Sequence, residues 1–589
     1  MRRTTLLAPR ISYYDKFPVI AIDAPPDSAW SGWQAIGQRI GGELSRGATR
    51  MAFECYPGVS ENAIWLALES ALRPAFVVRT SAIWKDPAEL NRMVARDLTD
   101  DPVFGRMNGF TIEDFADPSR LELCRAEIRE HGTSPIVVIG TGTSLLLSEP
   151  QVLIYADLPR WEIQKRQRSG QIDNLAAENH SESASAKYKR AYFLDWRVAD
   201  RIKRGLLGSL DYLLDTTDSS NPTLLTGDLF RDALRHTHSR PFRVVPFFDP
   251  GPWGGQWMRD ICGLDSQAPN YAWCFDCVPE ENSLLFDFGR GVRTEVPALD
   301  LVFGHPRELL GDAVHGRFGA EFPIRFDLLD TMQGGNLSLQ VHPLTEYIYD
   351  KFGMAYTQDE SYYMLDAASD ASVYLGLRSG IDRCEMAREL AQAQAGGAAF
   401  DAEKFVNRWP ARKHDHFLIP AGTIHCSGAN GVVLEISATP YIFTFKLWDW
   451  GRLGLDGKPR PIHLEHGLNN IQWDRDTDWV KSALMNKTRV LAEHELWTEE
   501  RTGLHPREFI ETRRHWFSGR VSHDTAGGVQ VLNLVEGDGA VVESPEDRFA
   551  PFEVHYAETF IVPAAVGRYS VRPTIAGARC GTIRASVRT

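Results

Sequence analysis

The sequence predicts a multidomain protein: an N-terminal α/β domain built on a parallel sheet, then an all-β remainder of barrels broken by one helical insertion. Three observations carry this reading. At 589 residues the chain is too long for one hydrophobic core, so two to four domains are expected. Through residue 238, short apolar runs alternate with helical patterns, the order of a parallel sheet covered on both faces. Beyond that point the chain changes to short strands separated by Gly, Pro and Asp turns.

The N-terminal elements follow in order. Val19-Ile20-Ala21-Ile22-Asp23 reads as a buried strand, Ala24-Pro25-Pro26-Asp27-Ser28 as a loop, and Trp33, Ile36, Ile40 and Leu44 recur at helical spacing. Further buried strands are expected at Ile136–Ile139 and Val152–Ala156. Strand, loop and helix over Ile20–Leu44 resemble the layout of a P-loop kinase. A working loop reads GxxxxGK[ST], with backbone N–H groups and the Lys on phosphates. The aligned positions are Ala24, Ala29, Trp30 and Ser31, so both glycines and the Lys are missing. Leu158–Arg166 resembles the kinase helix that supplies basic residues to a lid. The expectation is a degenerate kinase-like domain over 1–238 that transfers no phosphate, with an unrelated α/β domain as the alternative. Thr216–Pro222 and Arg235–Arg240 are polar stretches, and the main boundary is expected at the second. No repeat of solenoid period is visible.

Composition bounds the function. With 43% hydrophobic and 24% charged residues the chain is an ordinary globular one. The net charge of -14 argues against nucleic acid or an anionic membrane surface as partner; an anionic substrate needs a local cluster of Lys or Arg. The start, Met1-Arg2-Arg3-Thr4-Thr5-Leu6-Leu7-Ala8, is basic, but its apolar run is too short for a signal peptide. No run of about 18 apolar residues is present, so no membrane span is expected. Eight thinly spread cysteines fit thiols in a reducing cytoplasm. Cys274 and Cys277 form a CxxC with no second pair nearby, which argues against zinc or redox chemistry there.

The chemistry concentrates in the β region. In Asn336-Leu337-Ser338-Leu339-Gln340-Val341-His342-Pro343 the apolar residues alternate with polar ones, so Gln340 and His342 share one face of a strand that Pro343 ends. Glu360 opens Glu360-Ser361-Tyr362-Tyr363-Met364-Leu365-Asp366, and His425 follows a Pro420-Ala421-Gly422 turn. Each alone is an ordinary polar residue. Together, two imidazoles, a carboxylate and an amide oxygen suit zinc or a similar divalent ion, and inward positions of a barrel bring distant residues to one point. Met386–Ala395 reads as helical, within an insertion spanning 381–408.

These stretches resemble class I mannose-6-phosphate isomerases, a cupin family. The matching segments are Trp253-Gly254-Gly255, Phe322–Asp330, Leu337–Pro343, Val432–Ile436, Leu447–Arg452, Arg460–Leu464 and Glu558–Ala564. The resemblance runs from about Phe242 to the C-terminus. It implies double cupin barrels, a metal-binding domain over 239–480 and a second cupin-like domain over 481–589. It also implies one zinc ion at Gln340, His342, Glu360 and His425. Two departures stand out. The family has a Lys where this chain has Gln358, and an Arg where it has Lys446. Lys is a point charge without the bidentate fork of Arg. Lys446 and Arg452 are the expected catalytic cations, stabilising the enediolate or the phosphate; the residues do not single out a proton-transfer base.

The expected function is a zinc-dependent aldose–ketose isomerase interconverting mannose 6-phosphate and fructose 6-phosphate, with a small-molecule sugar phosphate as partner and oligomeric state left open. The alternatives are a non-catalytic sugar- or nucleotide-sensing pseudoenzyme and a metal-dependent isomerase of a different sugar.

Overall fold

The computed structural model describes residues 13–73, 75–503, 505 and 507–588. The basic start at Met1–Ala8 lies outside them. The N-terminal part is built on a seven-stranded sheet. Its parallel strands lie in the order Phe76–Arg79, Ile136–Gly140, Arg50–Cys55, Val152–Asp157 and Tyr212–Asp215. Thr223–Thr226 and the edge strand Ala29–Ser31 extend it antiparallel. The central strands are near-continuous apolar runs, buried because helices cover both faces. Helices Trp33–Ser45 and Glu61–Leu72 cover one side together. Glycine at Gly41 permits their approach: a Cβ there would stand 2.8 Å from the Ala71 carbonyl oxygen.

The strands expected at Ile136 and Val152 are thus interior to the sheet, and the helix expected over Trp33–Leu44 is Trp33–Ser45, but the place given to the strand before it is corrected. Val19–Ala21 does not enter the parallel sheet. It pairs parallel with Ser283–Asp287, at the edge of a separate three-stranded sheet completed by Arg293–Pro297. Trp30 lies in the edge strand, with the Arg39 guanidinium 5.3 Å from its ring. The first parallel strand belongs to the unit Arg50–Cys55, the loop Tyr56–Ser60 and helix Glu61–Leu72, capped by Ser60 Oγ accepting from Ala63 N–H. Gly58 in that loop has φ +113, and Glu61 is the first helical residue. The lid reading of Leu158–Arg166 is corrected as well. Arg160 is buried against Asp200 at 2.8 Å, and Arg166 is bound to Glu162 and the Gly58 and Thr216 carbonyls. Those cations hold the core together. Arg235–His238 is the last turn of helix Gly227–His238, so the polar stretch there is a helix end.

The middle of the chain forms two facing sheets. The six-stranded one runs His416–Ile419, Glu360–Ala367, Gly431–Ala438, Ile324–Asp330, Trp273–Cys277, Phe247–Asp249. The five-stranded one runs Val406–Pro410, Ser372–Leu377, His425–Ser427, Leu339–Val341, Phe445–Trp448. The insertion contains helix Arg383–Gln394, capped by Asp382, and its last three residues, 406–408, already belong to an edge strand. The C-terminal part repeats the plan with a six-stranded and a four-stranded sheet over Arg489–Val587. Cys274 and Cys277 are free and buried, on a strand that bulges between Phe275 and Cys277.

The parts share cores. Phe104 and Phe193, from the N-terminal part, pack on Phe443, the first stacked and the second edge-on, with ring centroids 5.9 Å away in each case. Lys203 Nζ bridges Asp157 at 2.6 Å and Asp300 at 2.8 Å, all three buried. Phe509, Val531 and Ile583 of the C-terminal part pack with Ile324, Phe326 and Ile436 of the middle part. Among the described residues no helix is long and apolar enough to cross a membrane.

Candidate metal centre

Between the facing sheets of the middle part, three side chains predicted as ligands converge. His425 lies on Leu339–Val341's neighbour strand and pairs with Gln340. Glu360 starts the strand opposite. His425 Nε2 stands 2.6 Å from Glu360 Oε1, and His342 Nε2 stands 3.2 Å from Glu360 Oε2. One donor atom from each of His342, Glu360 and His425 falls within 4.8 Å of the others, and all three residues are buried. The Gln340 amide nitrogen lies 3.3 Å from His425 Nε2. Turned over, that amide presents its oxygen to the same point.

The local fold explains the aim. The turn at Gly422 has φ +86, and a Cβ there would stand 2.9 Å from both the Asn470 carbonyl oxygen and Leu344 Cδ2, so only glycine fits. Asp359 Oδ1 accepts from Ala421 N–H at 2.8 Å, tying this turn to the start of the Glu360 strand. Behind the site, His425 Nδ1 lies 2.8 Å from the Thr423 carbonyl and His342 Nδ1 lies 3.3 Å from that of Phe443. A proton on each Nδ1 makes these bonds and leaves each Nε2 a lone pair directed inward. With both Nε2 atoms unprotonated, His342 Nε2 and Glu360 Oε1 are buried with no donor facing them. Such atoms are costly unless something occupies the point they face. Burial alone would raise the Glu360 carboxyl; positive charge at the facing imidazole positions outweighs it and holds the group below the usual carboxylate range, as a bound cation would. Two imidazoles, a carboxylate and an amide are a donor set that fits a zinc-like ion.

Lys446 lies directly opposite Gln340 across the sheet, so both point to one face. Burial, then the nearby Arg460, lowers its ammonium to about 8, with Asp449 opposing. Arg452 is placed differently. Its Nε and Nη2 bind Asp449 Oδ1 at 2.9 and 2.6 Å, and Asp449 Oδ2 also takes Arg460 Nη1 at 2.7 Å. Gln358 is buried beside the centre, donating to Glu360 Oε2 at 3.3 Å and to Glu435 Oε1 at 3.2 Å.

Other polar side chains of the same interior wall did not stand out in the sequence. Glu435 pairs with Tyr362 and Asp327, and Ser437 with Glu360 and Arg325, so all share the inward face. Burial raises the Glu435 carboxyl well above its usual range and Asp327 to about 6; Arg325 Nη2 donates to Asp327 at 2.5 Å. The signal was present as alternation: Arg325 and Asp327, and Glu435 and Ser437, are spaced by two in otherwise apolar strands. The wall extends to the N-terminal part. Arg325 stacks 4.3 Å from the Tyr441 ring, the Tyr441 hydroxyl donates to Glu281, and so does Tyr188 from helix Ala184–Arg190.

A model for a domain of unknown function, DUF8485, matches residues 32–239. The chain is similar to the putative mannose-6-phosphate isomerase YvyI of Bacillus subtilis, 22% identical over 57% of this chain and 96% of the relative. It is 27% identical to the mannose-6-phosphate isomerase of Streptococcus mutans over 37% of this chain and 63% of the relative. Among solved structures, the mannose 6-phosphate isomerase of Bacillus subtilis matches 59% of this chain and 99% of its own length, with 19% identity and a TM-score of 0.48. Over rather more than half its length, then, the chain is similar in sequence to proteins named as mannose-6-phosphate isomerases.

Proposed function

We propose that the chain is a zinc-dependent aldose–ketose isomerase that interconverts mannose 6-phosphate and fructose 6-phosphate through an enediolate. The observation that carries this is the convergence of His342, Glu360 and His425, with inward atoms unpartnered and both imidazoles oriented from behind by backbone carbonyls. The named activity of the similar curated proteins supports it. Gln340, His342, Glu360 and His425 would hold the ion. When bound, it would polarise the carbonyl and hydroxyl oxygens of the open-chain sugar.

The remaining steps belong to the chain's own side chains. A proton must move between C1 and C2. Glu435 is our choice for carrying it: it is inward-facing, linked to Glu360 through the Gln358 amide, and has a raised carboxyl. Lys446 offers a cation to the developing oxyanion. Arg452, committed to Asp449, holds the end of the strand that presents Lys446. The N-terminal part, kinase-like in our reading, walls the site through Tyr188.

Gln358 favours a second reading, an isomerase of an unphosphorylated sugar. Its amide is spent on two carboxylates, so no cation stands where the resembling family has one. A coupled isomerase assay on metal-loaded protein, with mannose and mannose 6-phosphate in parallel, separates the two. Turnover of the phosphosugar alone supports the first reading, and turnover of mannose alone the second.

A further inference from the structure

The C-terminal part carries a cavity of its own, about 340 Å³, lined by Trp497, Glu499, His515, His523, Gln530 and Arg584, among others. It lies in the other pair of β sheets, on strands that contribute nothing to the centre around Glu360. The volume falls at the lower end of the range of small-molecule sites.

Its polar groups are unusual for the interior of a β fold. His523 and His515 are 7% and 2% exposed, yet His523 Nε2, His515 Nδ1 and Arg584 Nε have no hydrogen-bond partner. Unpartnered buried donors and acceptors carry a desolvation cost, so this wall keeps polar capacity at the expense of stability. The remaining atoms are held in place. Glu499 Oε1 takes Arg513 Nη1 at 3.0 Å, His515 Nε2 at 3.3 Å and Arg584 Nη2 at 3.4 Å. Arg584 Nη1 stands 3.3 Å from His523 Nδ1, the His523 ring stacks on Tyr569 at 4.9 Å, and the Tyr569 hydroxyl donates to Gln530 Oε1 at 2.5 Å. Gln530 Nε2 is anchored on the Asp524 carbonyl at 2.8 Å. These side chains are fixed before any ligand arrives.

The charge pattern selects the ligand class. Arg513 is shared by Glu499 and Glu511, and Arg584 is paired with Glu499, so no uncompensated cation awaits a phosphate or carboxylate. Among the described residues, the donor atoms here do not cluster as they do at His342, Glu360 and His425, so a metal is disfavoured. Burial lowers the imidazole of His523 well below its ordinary value, leaving it neutral. The cavity thus presents neutral and mutually compensated donors and acceptors, with the Asp524 carboxylate held by the Ala526 N–H at its lining, beside the indole of Trp497. Alternating hydroxyls on one side and an apolar C–H face on the other are the complement of such a wall.

We infer that this cavity binds a neutral, unphosphorylated saccharide, at a site separate from the candidate metal centre. The inference does not depend on the isomerase reading. Saturation-transfer NMR on the full chain tests it, with mannose, glucose and inorganic phosphate as probes, in a His342→Ala background that disables the metal centre. The expected result is saturation transfer from the protein to the ring protons of a hexose, reduced at least tenfold by His523→Phe, which removes both ring nitrogens from the cavity wall, and by Trp497→Ala. A circular-dichroism melt verifies folding, and Gln530→Ala replaces either variant that fails it. Absence of transfer to both hexoses, transfer insensitive to the cavity variants, or displacement of hexose by inorganic phosphate would each overturn the inference.

Discussion

Lys203 offers a test of how the N-terminal part is fastened to the rest. Its ammonium lies 2.6 Å from Asp157, at the end of a parallel strand, and 2.8 Å from Asp300, on helix Leu299–Gly304. All three side chains are at most 2% exposed, and the Tyr56 ring lies 4.6 Å from Nζ. Removing one partner of such a buried cluster leaves uncompensated charge, so Lys203→Met should cost about 3–5 kcal/mol. The pH dependence has a definite sign. Burial raises the Asp300 carboxyl to about 8, with Lys203 opposing and Asp157 reinforcing the rise. The native state therefore holds a proton that the unfolded chain releases, and stability is lost as pH rises from the ordinary carboxylate range through about 8. Without Lys203 the rise is larger, so the deficit of the variant should grow between pH 6 and pH 8.5. Urea denaturation of both proteins at the two pH values measures this. A double-mutant cycle with Asp300→Asn should recover part of the loss, because one of the two stranded carboxylates is gone. A deficit under about 1 kcal/mol, or one that shrinks as pH rises, would refute the reasoning.

Three further outcomes are expected. Lys446→Ala should lower isomerase turnover on the order of a hundredfold with metal content intact, while Lys446→Arg should keep activity on a phosphosugar; unchanged turnover in the first would remove Lys446 from the mechanism. Glu435→Gln should lower turnover at least as much while the melting profile stays near wild type, and equal kcat in the two proteins would remove Glu435 from the proton transfer. The N-terminal part should transfer no phosphate from ATP to a sugar, because Glu61 sets a carboxylate at the head of the helix that follows the first parallel strand. ATP-dependent phosphorylation by the full chain that persists in His342→Ala would contradict this.

The placement of the candidate ligands was legible because strand alternation and a glycine turn are local signals. Gln340 and His342 could be put on one face by counting, and Pro420-Ala421-Gly422 announced the arrival of His425. The opening of the α/β part was poorly legible. Val19–Asp23 and Arg50–Cys55 are both short apolar runs, and nothing local says which one joins the parallel sheet. The choice is made by distant partners: Val19–Ala21 finds Ser283–Asp287, more than 260 residues away. Arg160 and Arg166 misled for a similar reason, since their partners Asp200 and Thr216 are fixed only by the tertiary fold. Glu435 and Asp327 are intermediate cases. Their alternation was legible, but that their shared face is the wall of the Glu360 site follows from the register, which pairs each with the next strand.

The central claim is that His342, Glu360 and His425 hold a divalent ion that the isomerisation requires. The most direct measurement is metal content by mass spectrometry on purified wild type and His342→Ala, with mannose 6-phosphate isomerisation followed on the same samples before and after chelation. The account predicts about one zinc per wild-type chain, little in the variant, and activity that disappears with chelator and returns with zinc. Equal metal content in the two proteins, or isomerisation undiminished by removing the metal, would contradict it.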